Sequence, residues 1–187
     1  MFATVHCGRP LYATAIALGA CCCVGGSATA LDARPSGEPV SRERILSWRV
    51  SKVGVGPIHV GLTVGQVEQL TGREMEPRYG RRSCRQWTVA GAPQGLSLMT
   101  SYGRIARVDI YRGSWRTTRR IRRGTRESVV RSRYRGVRTQ PHPYTSGEYL
   151  IVGGGKRRLI FETGAAGRVT SFRGGRLPEV NYIEGCA

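Results

Sequence analysis

Six cysteines, three histidines and twelve acidic side chains carry most of this chain's chemical options, and their positions narrow them quickly. Cys7, Cys21, Cys22 and Cys23 fall in the first thirty residues, so Cys84 and Cys186 are the pair left beyond it. Residues 11–24, LYATAIALGACCCV, form an uncharged apolar run with Arg9 before it and Ala28-Thr29-Ala30 after it. The run is shorter than the roughly 20 residues a bilayer-spanning helix needs, and it reads as an export signal. Leu18-Gly19-Ala20-Cys21 also fits a lipoprotein cleavage box, in which Cys21 would carry lipid and become the new N-terminus, so soluble export and lipid anchoring both stay open. Two cysteines in an oxidising compartment have one intramolecular pairing, and a Cys84–Cys186 disulfide is expected. A nucleophilic Cys84 with His59 or His142 as base is the competing reading; a reactive thiol would be vulnerable to oxidation where the protein goes.

The other chemical patterns point away from catalysis. Gly153-Gly154-Gly155-Lys156 is followed by Arg157 where a phosphate loop needs Ser or Thr, and reads as a hairpin turn. Glu74 and Glu76 form a carboxylate pair but sit among Arg73, Arg78, Arg81 and Arg82, which favours solvated ion pairs over acid–base work. His142, held between Pro141 and Pro143 beside Tyr144, reads as a stiff loop. With His59 and His142 the two histidines beyond the signal and no carboxylates spaced around them, no metal site is expected. No hydrolase or metalloprotease spacing occurs. The expectation is therefore a chain without catalytic residues, cofactor or small-molecule substrate.

Charge and aromatics carry the positive signal. The chain has 30 basic against 12 acidic side chains, a formal net charge of +18, and the excess concentrates between Arg104 and Arg138. In an exported protein such a balance implies attraction to anionic lipid, glycan or an acidic protein, and less so to nucleic acid; genomic bias toward arginine codons is the bland alternative. Tyrosine, tryptophan and arginine interleave along the candidate strands, the composition enriched where proteins bind proteins. Arg107, Tyr111, Trp115, Tyr144, Tyr149 and Arg173 are the expected binding residues.

The elements that must position these residues repeat. Thr63 and Gln66 are spaced as a capping box opening a short helix with Val64, Val67 and Leu70 on one face and Gly72 as its stop. About sixty residues later Gly124-Thr125 opens a second helix carrying Val129, Val130 and Tyr134, ended by Gly136. Each helix is followed by three candidate strands, 84–89, 95–100 and 104–111, then 148–152, 157–162 and 168–173. The expected fold class is α+β: two tandem units, each a helix plus a three-stranded antiparallel meander, forming one sheet with helices on one side. In the third strand Ala106, Val108 and Ile110 would face the helices, leaving Arg107, Asp109 and Tyr111 on an open face. The expected organisation is a signal segment 1–30, a flexible linker 31–44, and repeat units 45–116 and 117–187.

Residues 60–72, VGLTVGQVEQLTG, resemble the opening helix motif of the SmpA/OmlA (BamE-type) outer-membrane assembly lipoproteins and of the related tandem-repeat β-lactamase-inhibitor proteins. The resemblance implies a fold rather than an activity; the partner expected from export, charge and aromatics is a macromolecule of the cell envelope or outside the cell. The single disulfide departs from the inhibitors, which hold one per repeat, and the two units depart from the assembly lipoproteins, which have one. The reading is a non-enzymatic exported binding or assembly module.

Overall fold

A computed structural model describes residues 37–186. The expected export signal, the lipidation candidate Cys21 and residues 31–36 of the expected linker lie outside the described residues. The end of that linker is structured: Ser41 caps helix α1 (Arg42–Ser47), its hydroxyl accepting from the Arg44 N–H, and the Val40 N–H donates to the Thr71 carbonyl.

The fold is mainly β, with 41% of the described residues in strands and 16% in helix, which corrects the α+β expectation. An eight-stranded antiparallel sheet has the order β4 (Met75–Arg81), β5 (Cys84–Val89), β6 (Leu96–Ser101), β7 (Arg104–Ile110), β12 (Val169–Arg176), β11 (Arg157–Thr163), β10 (Glu148–Val152), β9 (Arg138–Pro141). A second sheet of four short strands has the order β3 (Ile58–His59), β2 (Gly54–Val55), β1 (Arg49–Ser51), β8 (Arg116–Thr117). Each meander thus has a fourth, outermost strand, and the small sheet lies outside the expected plan altogether.

The helices are too small to form a layer. In α2 (Val64–Thr71) the buried residues are Val67 and Thr71, and in α3 (Glu127–Arg133) Val130. A helix of two turns has little propensity to form alone and depends on its surroundings. For α2 these include a complete capping box between Thr63 and Gln66 and a left-handed Gly72 at φ 61°, whose N–H donates to the Glu68 carbonyl. Arg126 at the start of α3 makes no side-chain cap. Both helix entries are instead stitched to the start of their own last strand: the Gly61 N–H donates to Ile105 and the Ile105 N–H to Leu62, as the Gly124 N–H donates to Val169 and the Val169 N–H to Thr125. The guanidinium of Arg104 reaches the Gly61 carbonyl, and that of Arg168 the Gly124 carbonyl.

The main core lies on one face of the large sheet. Leu98, Val108, Ile110, Leu150, Phe161 and Phe172 point into it and meet Trp48, Val50 and Ile58 from the small-sheet region and Val67, Val130 and Tyr134 from the helices. Alternation along β10 sends Leu150 into this core and Tyr149 and Ile151 to the other face, where they pack with Ile160 and Val180 in a second cluster.

Contact between the sheets requires a glycine at position 174, opposite Val108. A Cβ there would lie 2.0 Å from the Ser51 carbonyl oxygen, a backbone atom that cannot swing aside. Gly174→Ala is expected to destabilise the protein by at least about 2 kcal/mol in chemical denaturation, through overpacking. Gly154→Ala, in a turn where an added Cβ meets nothing within 4 Å, should stay within about 0.5 kcal/mol of wild type.

Candidate functional site: a strapped sheet face

The sheet face away from the main core is the one expected to be open. It carries Arg107 and Asp109 on β7, Arg173 on β12, Ser97 on β6 and Glu162 on β11, and pairing sets Asp109 opposite both Ser97 and Arg173. It is covered by a strap. After β12 the chain turns through a short 3-10 helix (Glu179–Asn181) and runs to Cys186, which is disulfide-bonded to Cys84 at the start of β5. The sequence separation is 102 and the Cα atoms lie 5.3 Å apart.

Two guanidinium groups fix the strap. Arg107 donates from Nε to Asp109 at 2.9 Å and from Nη1 to the carbonyls of Glu179 at 3.0 Å and Tyr182 at 2.6 Å. Arg173 donates from Nε to the Val180 carbonyl at 2.7 Å and pairs through Nη1 with Glu162, whose other oxygen accepts from the Ser171 hydroxyl at 2.7 Å. The strap's own Glu179 is held by Arg176 at 2.9 Å. Burial works to raise the Glu179 pKa, but hydrogen bonds from Arg176 and Ser101 outweigh it and hold the carboxyl below its ordinary value. Burial also pushes the Tyr149 phenol above its ordinary range; its hydroxyl has no hydrogen-bond partner among the described residues, and the Arg173 guanidinium lies 5.2 Å from its ring centre.

This arrangement redistributes the expected binding residues. Arg107 and Arg173 are 3% and 5% exposed, a correction to the open-face expectation: strap carbonyls claim the donors that would have faced a partner. Tyr149 is buried in the second cluster. Trp115 is a main-core residue whose indole N–H donates to the Gln94 carbonyl at 3.1 Å. Tyr111 and Tyr144 remain exposed, at 48% and 67%.

Beside the strap the face is concave. A cleft of about 450 Å³ has Gln86, Ser97, Asp109, Glu162 and Ser171 among its lining, with Tyr79, Tyr111 and Ile183. A shallower hollow of about 810 Å³ shares Ile183, Glu184 and Gly185 with it and adds Tyr144 and Tyr182. Tyr79, Tyr111, Tyr144, Tyr182 and Ile183 are all exposed. The Tyr144 hydroxyl donates to Glu184 at 3.1 Å, and that carboxylate raises the tyrosine's pKa. The sequence reading missed Tyr79, Tyr182 and Ile183. Their one signal was Cys186 itself, since a bridge to Cys84 obliges the preceding residues to return to the sheet.

Among the described residues no three His, Cys, Asp or Glu side chains gather as a metal site, and no helix is long and apolar enough to cross a membrane. No protein-family model, curated protein or solved structure matches the chain.

Removing one partner of a buried ion pair leaves the other uncompensated. Arg107→Ala is expected to cost about 3 kcal/mol in denaturant unfolding, while Tyr111→Ala should cost less than about 1 kcal/mol. The Glu179 carboxyl has a depressed pKa in the folded state. Its contribution is therefore complete above the unfolded value, near 4.5, and is lost as pH falls through the lower folded value. Glu179→Gln should destabilise the protein by about 2 kcal/mol at neutral pH, and thermal melts should show this gap closing as pH falls below the unfolded value.

Proposed function

We propose that this protein is an exported, non-enzymatic binding or assembly module whose strapped sheet face docks a macromolecule of the cell envelope or of the exterior. The observation that carries the reading is the gathering of Tyr79, Tyr111, Tyr144, Tyr182 and Ile183, all exposed, around two adjoining hollows on one face. Tyrosine offers a large rigid contact area with a polar tip and little entropy to lose, and so recurs at protein-binding hot spots.

Beneath this rim the polar groups are already committed. Arg107 and Arg173 are each paired with a carboxylate and with strap carbonyls, so they act as positioning residues that hold the strap, and Tyr111 and Tyr144 make the contact. The resemblance of residues 60–72 to envelope assembly and inhibitor proteins favours a protein partner. Such a partner would bury apolar side chains against the tyrosines and leave the ion pairs beneath undisturbed. Its binding would tolerate salt, because screening acts on exposed charges more than on apolar contact.

Photo-crosslinking in the cells that make the protein tests this directly. A benzophenone side chain at position 111 or 144 should yield one discrete adduct, and the same group at position 154, in the distant β10–β11 turn, should not. Combined Tyr79→Ala, Tyr111→Ala and Ile183→Ala substitutions should weaken binding to the captured partner at least about tenfold. No adduct from the rim, or the same adducts from position 154, would overturn the reading.

A further inference from the structure

On the other side of the sheet the surface has an opposite character. Between Arg116 and Arg138, a span covering β8, the following loop, α3 and the start of β9, ten arginines are exposed and Glu127 is the one acidic residue. Glu127 and Glu148 are both spent on Arg131. Among the described residues the other nine arginines have no carboxylate within ion-pair distance. A surface this lopsided repels itself and attracts anions.

Two of these arginines are pre-positioned. Arg119 donates to the Arg133 carbonyl at 2.7 Å, and Arg133 donates to the Arg119 carbonyl at 3.0 Å. The Arg119 guanidinium also lies 5.3 Å from the ring centre of Tyr134. Reciprocal bonds to neutral carbonyls bring two positive side chains together without neutralising either. Each uses one nitrogen in these bonds, and a guanidinium has five N–H donors, whose fork suits phosphate.

We infer that this face of the protein, centred on Arg119 and Arg133, is an electrostatic docking surface for the phosphate groups of an anionic lipid surface. Charge complementarity supplies the attraction. The choice of lipid rests on what the face lacks. Its one aromatic within the span, Tyr134, is buried, so it offers no ring on which to stack nucleic-acid bases. α3 has seven residues, too short to serve as a groove-reading helix with its neighbours folded against the sheet. Nor does the span expose a large apolar side chain that would insert, so the contact is with headgroups. Val130 and Tyr134 pack in the main core while Val180 of the strap packs in the second cluster, which puts the two surfaces on opposite faces of the sheet. A protein lying on lipid through α3 would hold its tyrosine-rimmed cleft away from the membrane. The inference is independent of the cleft's partner.

Vesicle co-sedimentation of the full-length protein tests it, using phosphatidylcholine alone and equal parts phosphatidylcholine and phosphatidylglycerol. Binding is expected to the mixed vesicles only, and to fall steeply as salt rises from about 0.05 to about 0.5 M. Combined Arg119→Gln and Arg133→Gln should weaken partitioning about tenfold or more. Because these side chains also brace one another, a second variant, Arg122→Gln with Arg126→Gln, removes charge without breaking that brace and should weaken partitioning in the same direction. Tyr111→Ala should partition as wild type does, which separates this test from that of the cleft. Equal binding to both vesicles, unaltered binding by both arginine variants, or tighter binding to duplex DNA at matched phosphate concentration would overturn the inference.

Discussion

Burial of two guanidinium groups is the constraint on which the architecture turns. Taking an arginine out of water is costly unless its charge and its donors are both matched. Arg107 and Arg173 each find a carboxylate on the sheet and carbonyls on the C-terminal strap. The sheet alone could neutralise them but could not satisfy the rest of each fork. The strap supplies further acceptors, two carbonyls to Arg107 and one to Arg173, and in doing so fixes where Glu179, Val180 and Tyr182 lie. The disulfide then closes the far end; in a loop-closure account a crosslink over about a hundred residues limits the unfolded chain by about 4.7 kcal/mol.

From this follows a division of labour between the two faces. One is mainly apolar and holds the small sheet and the three short α-helices against it. The other is polar at its centre, sealed by the strap at one side and hollow beside it, with tyrosines gathered at the rim. Arginine falls into two roles accordingly. On the strapped face Arg107 and Arg173 are buried and committed to named acceptors, and around α3 arginine is exposed and, Arg131 apart, without a carboxylate partner among the described residues. Net charge alone says nothing about this partition.

Local chemistry was readable from sequence where a residue's role depends on near neighbours. The Thr63–Gln66 capping box, the Gly72 stop and the alternation from Arg107 to Ile110 all rest on short-range rules, and the Cys84–Cys186 pair rested on counting; earlier in the strand a register shift opposite Met99 and Thr100 puts Ile105, not the expected Ala106, in the main core. What escaped depends on tertiary contact. β4 includes Pro77 and Gly80 and buries only Met75, and β9 is exposed along its whole length; such edge strands have no apolar face and resemble loops. Strands of two or three residues in the small sheet are too short to show a period. Those omissions turned a mainly β fold into an expected α+β one. Alternation also showed correctly that Arg107 leaves the main core, but not that another part of the chain would cover it. Trp115 was misjudged for a related reason, since its buried N–H is satisfied by a carbonyl 21 positions away.

The central claim is that the strap closes over the sheet in the native protein and is held there by Arg107, Arg173 and the disulfide. Tyrosine nitration of the oxidised protein, mapped by mass spectrometry, reads this closure residue by residue. Tyr111 and Tyr144 should react readily and Tyr149 should stay unmodified, becoming reactive when Arg107→Ala is combined with reduction of the disulfide. Nitration of Tyr149 as fast as that of Tyr111 in the intact oxidised protein would contradict the account.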